Sequence, residues 1–201
     1  MENTMNPDIL LPYQKTWIAD ESKVKVWEKS RRIGASYAEA LASVLEAAKT
    51  KEAGGQSSYC LSYSKEMTQQ FARDRAFRTK RASAAARELE EAAINGEDKG
   101  IAVYRIRFAS GYEIWRLPSV ARSLRSKRGR AITGEAAFVG DLDELLKAAT
   151  ALLTRGGRVR VLSTRDGDDS PFNGLIKEIR DGKKDYSPRR ATFDDALNQG
   201  L

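Results

Sequence analysis

Short apolar runs alternate with longer stretches of helical periodicity along this chain. Val24, Val26 and Trp27 make the first clear apolar run, and a tight basic turn holding Lys29, Ser30, Arg31, Arg32, Gly34 and Ser36 follows it. Behind the turn, Ala38, Leu41, Ala42, Leu45 and Ala48 recur at helical spacing, which predicts a helix over 36–49 with these side chains as its buried stripe. Lys49 and Lys51 suit the negative end of the helix dipole, and Gly54-Gly55 stops the element. Residues 57–63, SSYCLSY, read as a second buried strand. Strand, helix and strand at this spacing predict a parallel crossover unit. Upstream, Leu10, Leu11, Tyr13, Trp17 and Ile18 form an apolar patch, helical or irregular, with Pro12 near its start, and residues 1–9 read as a loose tail.

Further on, residues 65–94 are helical by composition, with Met67 and Phe71 as an i, i+4 pair, an alanine-rich second half and an Asn95-Gly96 stop. IAVYRIRF (101–108) and YEIWRLP (112–118) alternate around Ser110-Gly111 and predict a β-hairpin. AITGEAAFV (131–139) reads as a short central strand that delivers Glu135 at its C-terminal end. A helix over 141–154 follows, with Leu142, Leu145, Leu146, Ala149, Leu152 and Leu153 inward, closed by Gly156-Gly157. RVRVLS (158–163) is a further strand, 164–169 a polar loop, and Ser170-Pro171 opens a helix that Gly182 ends. The last stretch, SPRRATFDDALNQGL, has room for one more short strand. The whole predicts one α/β domain with a mostly parallel sheet, flanking helices and an inserted hairpin.

Composition narrows the chemistry. The chain has 201 residues, 41% hydrophobic and 31% charged, enough for one sizeable soluble core. No apolar run is long enough to cross a bilayer, and the acidic, polar N-terminus lacks a signal-peptide pattern, so no membrane association is expected. Cys60 is the single cysteine, which suits a reducing compartment. There is no histidine, which removes Ser-His-Asp and Cys-His catalysis and argues against a zinc site. A net charge of +7 favours an anionic partner such as nucleic acid or nucleotide.

In parallel sheets ligands bind beyond the carboxyl ends of the strands, where three loops would meet: 29–36, 134–140 and 163–169. The first is basic, with free helix-start amides and a hydroxyl. It departs from G-x-x-x-x-G-K-[ST], since Ala35 sits where the lysine should be, so by itself it fits a phosphate site or an ordinary basic strand-turn-helix. The second carries the Glu135 carboxylate and the third the paired hydroxyls of Ser163 and Thr164. Together they supply what nucleotide hydrolysis needs: positive charge, a hydroxyl for magnesium, a carboxylate for water and a polar sensor. Asp141, Asp143 and Glu144 read first as helix-start residues and second as metal ligands. The run 119–130, SVARSLRSKRGR, is basic without an acid; it is a solvated loop or an anion-facing one.

LPYQ, WEKSRRIGASYAEAL, RGRAITGEAAF and GGRVRVLSTRDGDDSPFNGLIKEIR, in this order and spacing, resemble the large terminase subunit of Mu-like tailed phages. The resemblance implies a P-loop NTPase fold of the RecA-like kind over 1–201, an ATPase, and a DNA-packaging motor using ATP and Mg2+. It makes Gln14 an adenine contact, and Lys29, Ser30, Arg31, Arg32, Ile33, Gly34, Ala35, Ser36 and Tyr37 a variant phosphate loop, with Lys29 supplying the lysine and Ser36 the magnesium hydroxyl. It makes Glu135 the catalytic glutamate, Ser163 and Thr164 the coupling sensor, and Arg122, Arg125 and Arg128 candidates for DNA or for a neighbouring subunit's nucleotide. Implied partners are double-stranded DNA, the portal protein, a small terminase subunit and further copies in a ring. The implied location is the host bacterial cytoplasm, transiently at the procapsid portal. Two departures stand out. Gly134 occupies the place of the family's magnesium-binding aspartate, with Asp141 or Asp143 the nearest substitutes, and no nuclease domain follows, so no nuclease activity is expected. The alternative expectation is a shortened prophage remnant that binds nucleotide or DNA without efficient hydrolysis.

Overall fold

The computed structural model describes residues 10–62, 86–93, 102–167 and 169–201. Its strands are β1 (Val24–Lys29), β2 (Ser58–Ser62), β3 (Ala86–Ala93), β4 (Ala102–Phe108), β5 (Glu113–Pro118), β6 (Arg130–Gly134), β7 (Arg158–Ser163) and β8 (Ser187–Ala191). Its helices are α1 (Pro12–Ala19), α2 (Ala35–Ala48), α3 (Leu142–Thr150), α4 (Pro171–Arg180) and α5 (Phe193–Asn198). The strands form one sheet in the order β3-β4-β5-β2-β6-β7-β1-β8. Pairing is parallel from β5 through to β8 and antiparallel for β3–β4 and β4–β5.

A parallel sheet must be covered on both faces, because its crossovers lay helices on each side. β1 shows this directly: all six of its residues are buried. Val24 and Val26 join the core that α3 and α4 cover through Leu142, Leu145, Phe172 and Leu175. Trp27, with the opposite parity, joins Trp17, Ile33, Ala38 and Ala47 under α1 and α2. The Trp17 and Trp27 rings stack at 4.7 Å between centroids. Pro12 sits in the first turn of α1, where its missing N–H costs nothing. Ser170 caps α4 by accepting from the Asn173 N–H at 3.3 Å. The stripe expected on the helix after β6 is the buried face of α3 and of the 3-10 turn that continues it, with Leu142, Leu145, Leu146, Ala149 and Leu152 inside.

Four features differ from the sequence expectation. The strand read over 131–139 ends at Gly134, because Glu135 turns the chain out of the sheet into a 3-10 helix over Ala136–Phe138. Residues 86–93, read as the end of a long helix, form β3, paired antiparallel with β4. ARELEEAA has helical propensity, but pairing against an available neighbouring strand overrides it. Residues 63–85, with the Met67–Phe71 pair, and the Asn95-Gly96 stop lie outside the described residues. The buried face of α2 is also rotated from the predicted stripe. Ala38 and Ala42 are inside, but Leu45 is 48% exposed and Ala48 is exposed, while Glu39 and Ser43 are buried. The helix turns a carboxylate inward because Arg130 of β6 waits beneath it, and such a face has no apolar period. The last stretch holds the expected strand, β8, and then a helix as well. Thr192 caps α5 by accepting from the Asp195 N–H at 3.1 Å.

Candidate nucleotide site

The turn after β1 is shaped for an anion. Arg32 has φ 60° and Gly34 φ 71°, so the chain passes twice through the left-handed region before α2 begins at Ala35. Gly34 is the N-cap and offers no side-chain acceptor, which leaves the first amides of α2 open toward the turn. A cleft of about 420 Å3 lies over them, lined by residues 29–36 together with Glu135 and Phe138. Arg31, Arg32 and Ser36 are exposed, Ser30 and Gly34 are half-buried, and Ile33 and Ala35 pack inward. Tyr37 follows, half-buried, in the first turn of α2.

Glu135 reaches the cleft from β6, across the end of the intervening β7. It too is left-handed, at φ 56° and ψ 47°, a conformation that costs an L-residue about 1–2 kcal/mol and turns the chain abruptly out of the sheet. Lys29 Nζ donates to Glu135 Oε1 at 2.8 Å, and the two side chains are 7% and 22% exposed. The end of β7 supports this loop from below. The buried Ser163 Oγ accepts from the Ala137 N–H at 3.0 Å, while the nearby Thr164 Oγ1 is buried without a partner among the described residues. A side chain added at Gly134 would meet nothing within 4 Å.

Gln14 lies behind the loop and is 4% exposed. Its Oε1 accepts from the Leu11 N–H at 3.0 Å, and its Nε2 donates to the Ile33 carbonyl at 3.3 Å. The Tyr13 hydroxyl donates to the same carbonyl. Burial raises the Tyr13 pKa above its ordinary value, so this hydroxyl stays a donor. Sequence reasoning gave Tyr13 only an apolar role, although it stands beside Gln14. It also passed over Glu28, whose buried carboxylate forms an ion pair with Arg165 Nε at 2.6 Å, accepts from Arg180 Nη2 at 2.8 Å and lies 3.7 Å from Arg190 Nε. The available signal was an acid next to Lys29 in a chain whose later loops are rich in arginine.

The other sequence candidates sit elsewhere. Asp141 is the N-cap of α3 and accepts from the Glu144 N–H at 2.9 Å, so these residues are helix-start residues. Among the described residues no group of three or more His, Cys, Asp or Glu side chains is placed to hold a metal. Magnesium nonetheless fits the cleft's donor set. It holds its waters tightly and takes few protein ligands when phosphates supply the rest, and Ser36 offers a hydroxyl beside open backbone amides. Arg122, Arg125 and Arg128 are exposed on the segment between β5 and β6, where Arg125 borders a separate cleft. Arg130, in the same basic run, is 2% exposed and belongs to the interior. Lys127 lies over the Trp115 ring at 4.6 Å.

The fold and the cleft define a class. Over 96% of its length the chain superposes on the large terminase of a thermophilic bacteriophage, with a TM-score of 0.69, 11% identity and 48% of that chain covered. It also superposes on the same terminase in complex with ADP, with a TM-score of 0.63, 12% identity and 46% of that chain covered. With the large terminase ATPase domain of Thermus phage P74-26 it shares a TM-score of 0.64 at 16% identity, over 92% of this chain and 82% of that one. The chain therefore shares the fold of phage large-terminase ATPase domains. In sequence it is similar to two Mu-like gp28 proteins. It is 43% identical over 193 residues to the Mu-like prophage FluMu protein gp28 of Haemophilus influenzae, covering 96% of this chain and 38% of that one. It is 40% identical over 200 residues to the probable terminase large subunit gp28 of Escherichia phage Mu, covering 98% of this chain and 36% of that one. The chain thus spans well under half the length of either relative. No family model matches it.

Proposed function

We propose that this chain is the ATP-hydrolysing motor domain of a DNA-packaging large terminase. The observation that carries the reading is convergence: Lys29, the α2 N-terminus with Ser36, and Glu135 border one cleft although they come from separate elements. The relatives' names and an ADP-bound structural neighbour point the same way.

In this reading the phosphates of ATP rest on the open amides at the start of α2, with Lys29, Arg31 and Arg32 adding charge. Ser36, together with the phosphates, would hold magnesium, which would supply positive charge toward the transferred group. Lys29 is already in an ion pair with Glu135, so arriving phosphate gives it a second anionic partner and frees lone pairs on Glu135. Glu135 then accepts a hydrogen bond from the attacking water and takes its proton. Ser163 holds the Glu135 loop through Ala137, and the unpartnered Thr164 hydroxyl is available to sense the phosphate. Gln14 supports Ile33 from behind, and its remaining amide hydrogen and lone pair are the groups that can meet the adenine edge. Double-stranded DNA is the translocated substrate. A portal, a small subunit and further copies of the motor are the partners, in the host cytoplasm and at the procapsid.

The test is phosphate release with ATP and magnesium, together with a thermal shift by ATP. Release that disappears in Glu135→Gln, with the ATP shift retained, supports the reading; equal release in both proteins overturns the role of Glu135. Gly134 favours a second reading, binding without efficient turnover, because the place expected for an aspartate carries no side chain. An ATP shift without phosphate release in the unaltered chain would establish it.

A further inference from the structure

A second cleft, of about 380 Å3, lies under the C-terminal half of α2 at the N-terminal ends of β1, β6 and β7. It is at the opposite end of these strands from the phosphate loop. Its walls carry Lys25, Arg130 and Arg160, which are 1%, 2% and 1% exposed, and Arg158, whose side chain is 33% exposed.

Not every cation here has a carboxylate partner. Glu39 is satisfied by Arg130 and by the Trp17 indole N–H at 2.7 Å. Glu46 is shared between Arg130 at 2.9 Å and Arg158 at 3.1 Å. Asp20 is turned toward the Ser22 N–H at 2.9 Å and the Ser187 hydroxyl at 2.7 Å. Glu21 and Lys49 are exposed on the rim. Lys25 and Arg160 find only carbonyl oxygens as hydrogen-bond acceptors among the described residues, and the Lys25 ammonium also lies over the Trp17 ring, 4.3 Å from its centroid. Lys25 donates to the Trp17 and Asp20 carbonyls, and Arg160 to those of Ser22, Lys23 and Val159. No carboxylate forms an ion pair with either among the described residues. Arg160 Nε is buried and has no hydrogen-bond partner among the described residues. Burial, with Arg160 close by, pushes the Lys25 pKa down to about 7. Buried cations are ordinarily paired, because an unpaired charge in the interior is costly. Two such cations beside an open cleft leave room for a counter-charge from outside.

We propose that this cleft is a binding site for a phosphate-type oxyanion, held by Arg158, Arg160 and Lys25 and separate from the nucleotide site. Guanidinium and ammonium donors converging on a concave surface match an oxyanion that accepts from several directions at once. The volume leaves space for bridging water or for the remainder of a phosphate ester.

The test is a set of thermal melts at fixed ionic strength, with 10 mM inorganic phosphate replacing chloride. A site of millimolar affinity raises the melting temperature by about 3–5 °C. The rise is expected in the unaltered chain and in Lys29→Ala, and is expected to be lost in Lys25→Met and Arg158→Gln. Should Lys25→Met fail to fold, the partly exposed Arg158→Gln decides alone, and its retained stabilisation by ATP shows the nucleotide site to be intact. No rise in the unaltered chain overturns the proposal. The same rise in Arg158→Gln overturns it as a general solvent effect, and a rise that vanishes in Lys29→Ala overturns it by placing the phosphate in the nucleotide loop.

Discussion

Replacing Gly34 by alanine tests the architecture of the phosphate loop at its tightest point. At φ 71° an L-residue costs about 1–2 kcal/mol more than glycine. The new Cβ would also stand 2.5 Å from Gln14 Nε2, too close to be accommodated without movement. Gln14 is a flexible side chain, but it is 4% exposed and tied to Leu11 and Ile33. Displacing its amide loses two hydrogen bonds, each with a net value of about 1 kcal/mol. The sum is roughly 3–4 kcal/mol, which for a chain of this size lowers the melting temperature by about 6–16 °C. Circular dichroism melts and urea titrations measure it. Gly134→Ala is the control, since that Cβ meets nothing within 4 Å, and its stability should stay within about 0.5 kcal/mol of the parent. The double variant Gly34→Ala with Gln14→Ala separates the two contributions. It removes the contact but keeps the backbone cost, so its total loss of stability should fall short of the sum of the two single losses by about 2 kcal/mol. A Gly34→Ala protein that melts within about 2 °C of the parent would falsify the loop geometry, and strict additivity would rule out the Gln14 contact.

The remaining predictions concern chemistry and charge. Glu135→Gln should abolish phosphate release while ATP continues to raise the melting temperature; loss of both would assign Glu135 to folding or binding instead. Gly134→Asp should fold normally, because the position is open, and should raise turnover if a missing carboxylate limits the reaction; an unchanged rate refutes that cause. Lys25 titrates near 7 when folded and near its ordinary value when unfolded, so between these pH values the unfolded chain binds more protons and stability should rise with pH. Urea midpoints compared at pH 6.5 and 9 in the parent and in Lys25→Met check this, and an equal pH response in both proteins refutes it. Charge reversal at Arg125 and Arg128 should weaken duplex DNA binding and flatten its salt dependence, as read by fluorescence anisotropy; an unaltered salt slope returns that segment to an ordinary solvated surface.

The strand-turn-helix at 24–48 was legible because its signals are local: an apolar run, a glycine with basic neighbours, then a helical period. The strand that presents Glu135 and the capped helices α3 and α4 were legible for the same reason. What escaped depends on partners distant in sequence. Nothing in the segment 86–93 announces that β4 will pair with it. Glu39 reads as a solvated helix residue until Arg130, ninety-one positions later, is folded beneath it. Charge patterning also misplaced Arg130, which looked like one more cation of the basic run. Gln14 was singled out by its resemblance to a motif, but its attachment to the Ile33 carbonyl follows only from the packing of α1 against the loop.

Glu28 gives the sheet a mechanical property. It adjoins Lys29 in a strand held on one side by β7 and on the other by β8. Its carboxylate is gripped by Arg165 beyond the end of β7, by Arg180 at the end of α4, and more loosely by Arg190 on β8. A shift of the Lys29 end of β1 along the strand axis would therefore stretch contacts to a loop, a helix terminus and an edge strand together. One carboxylate thus ties the turn after β1 to three elements that are far apart in sequence.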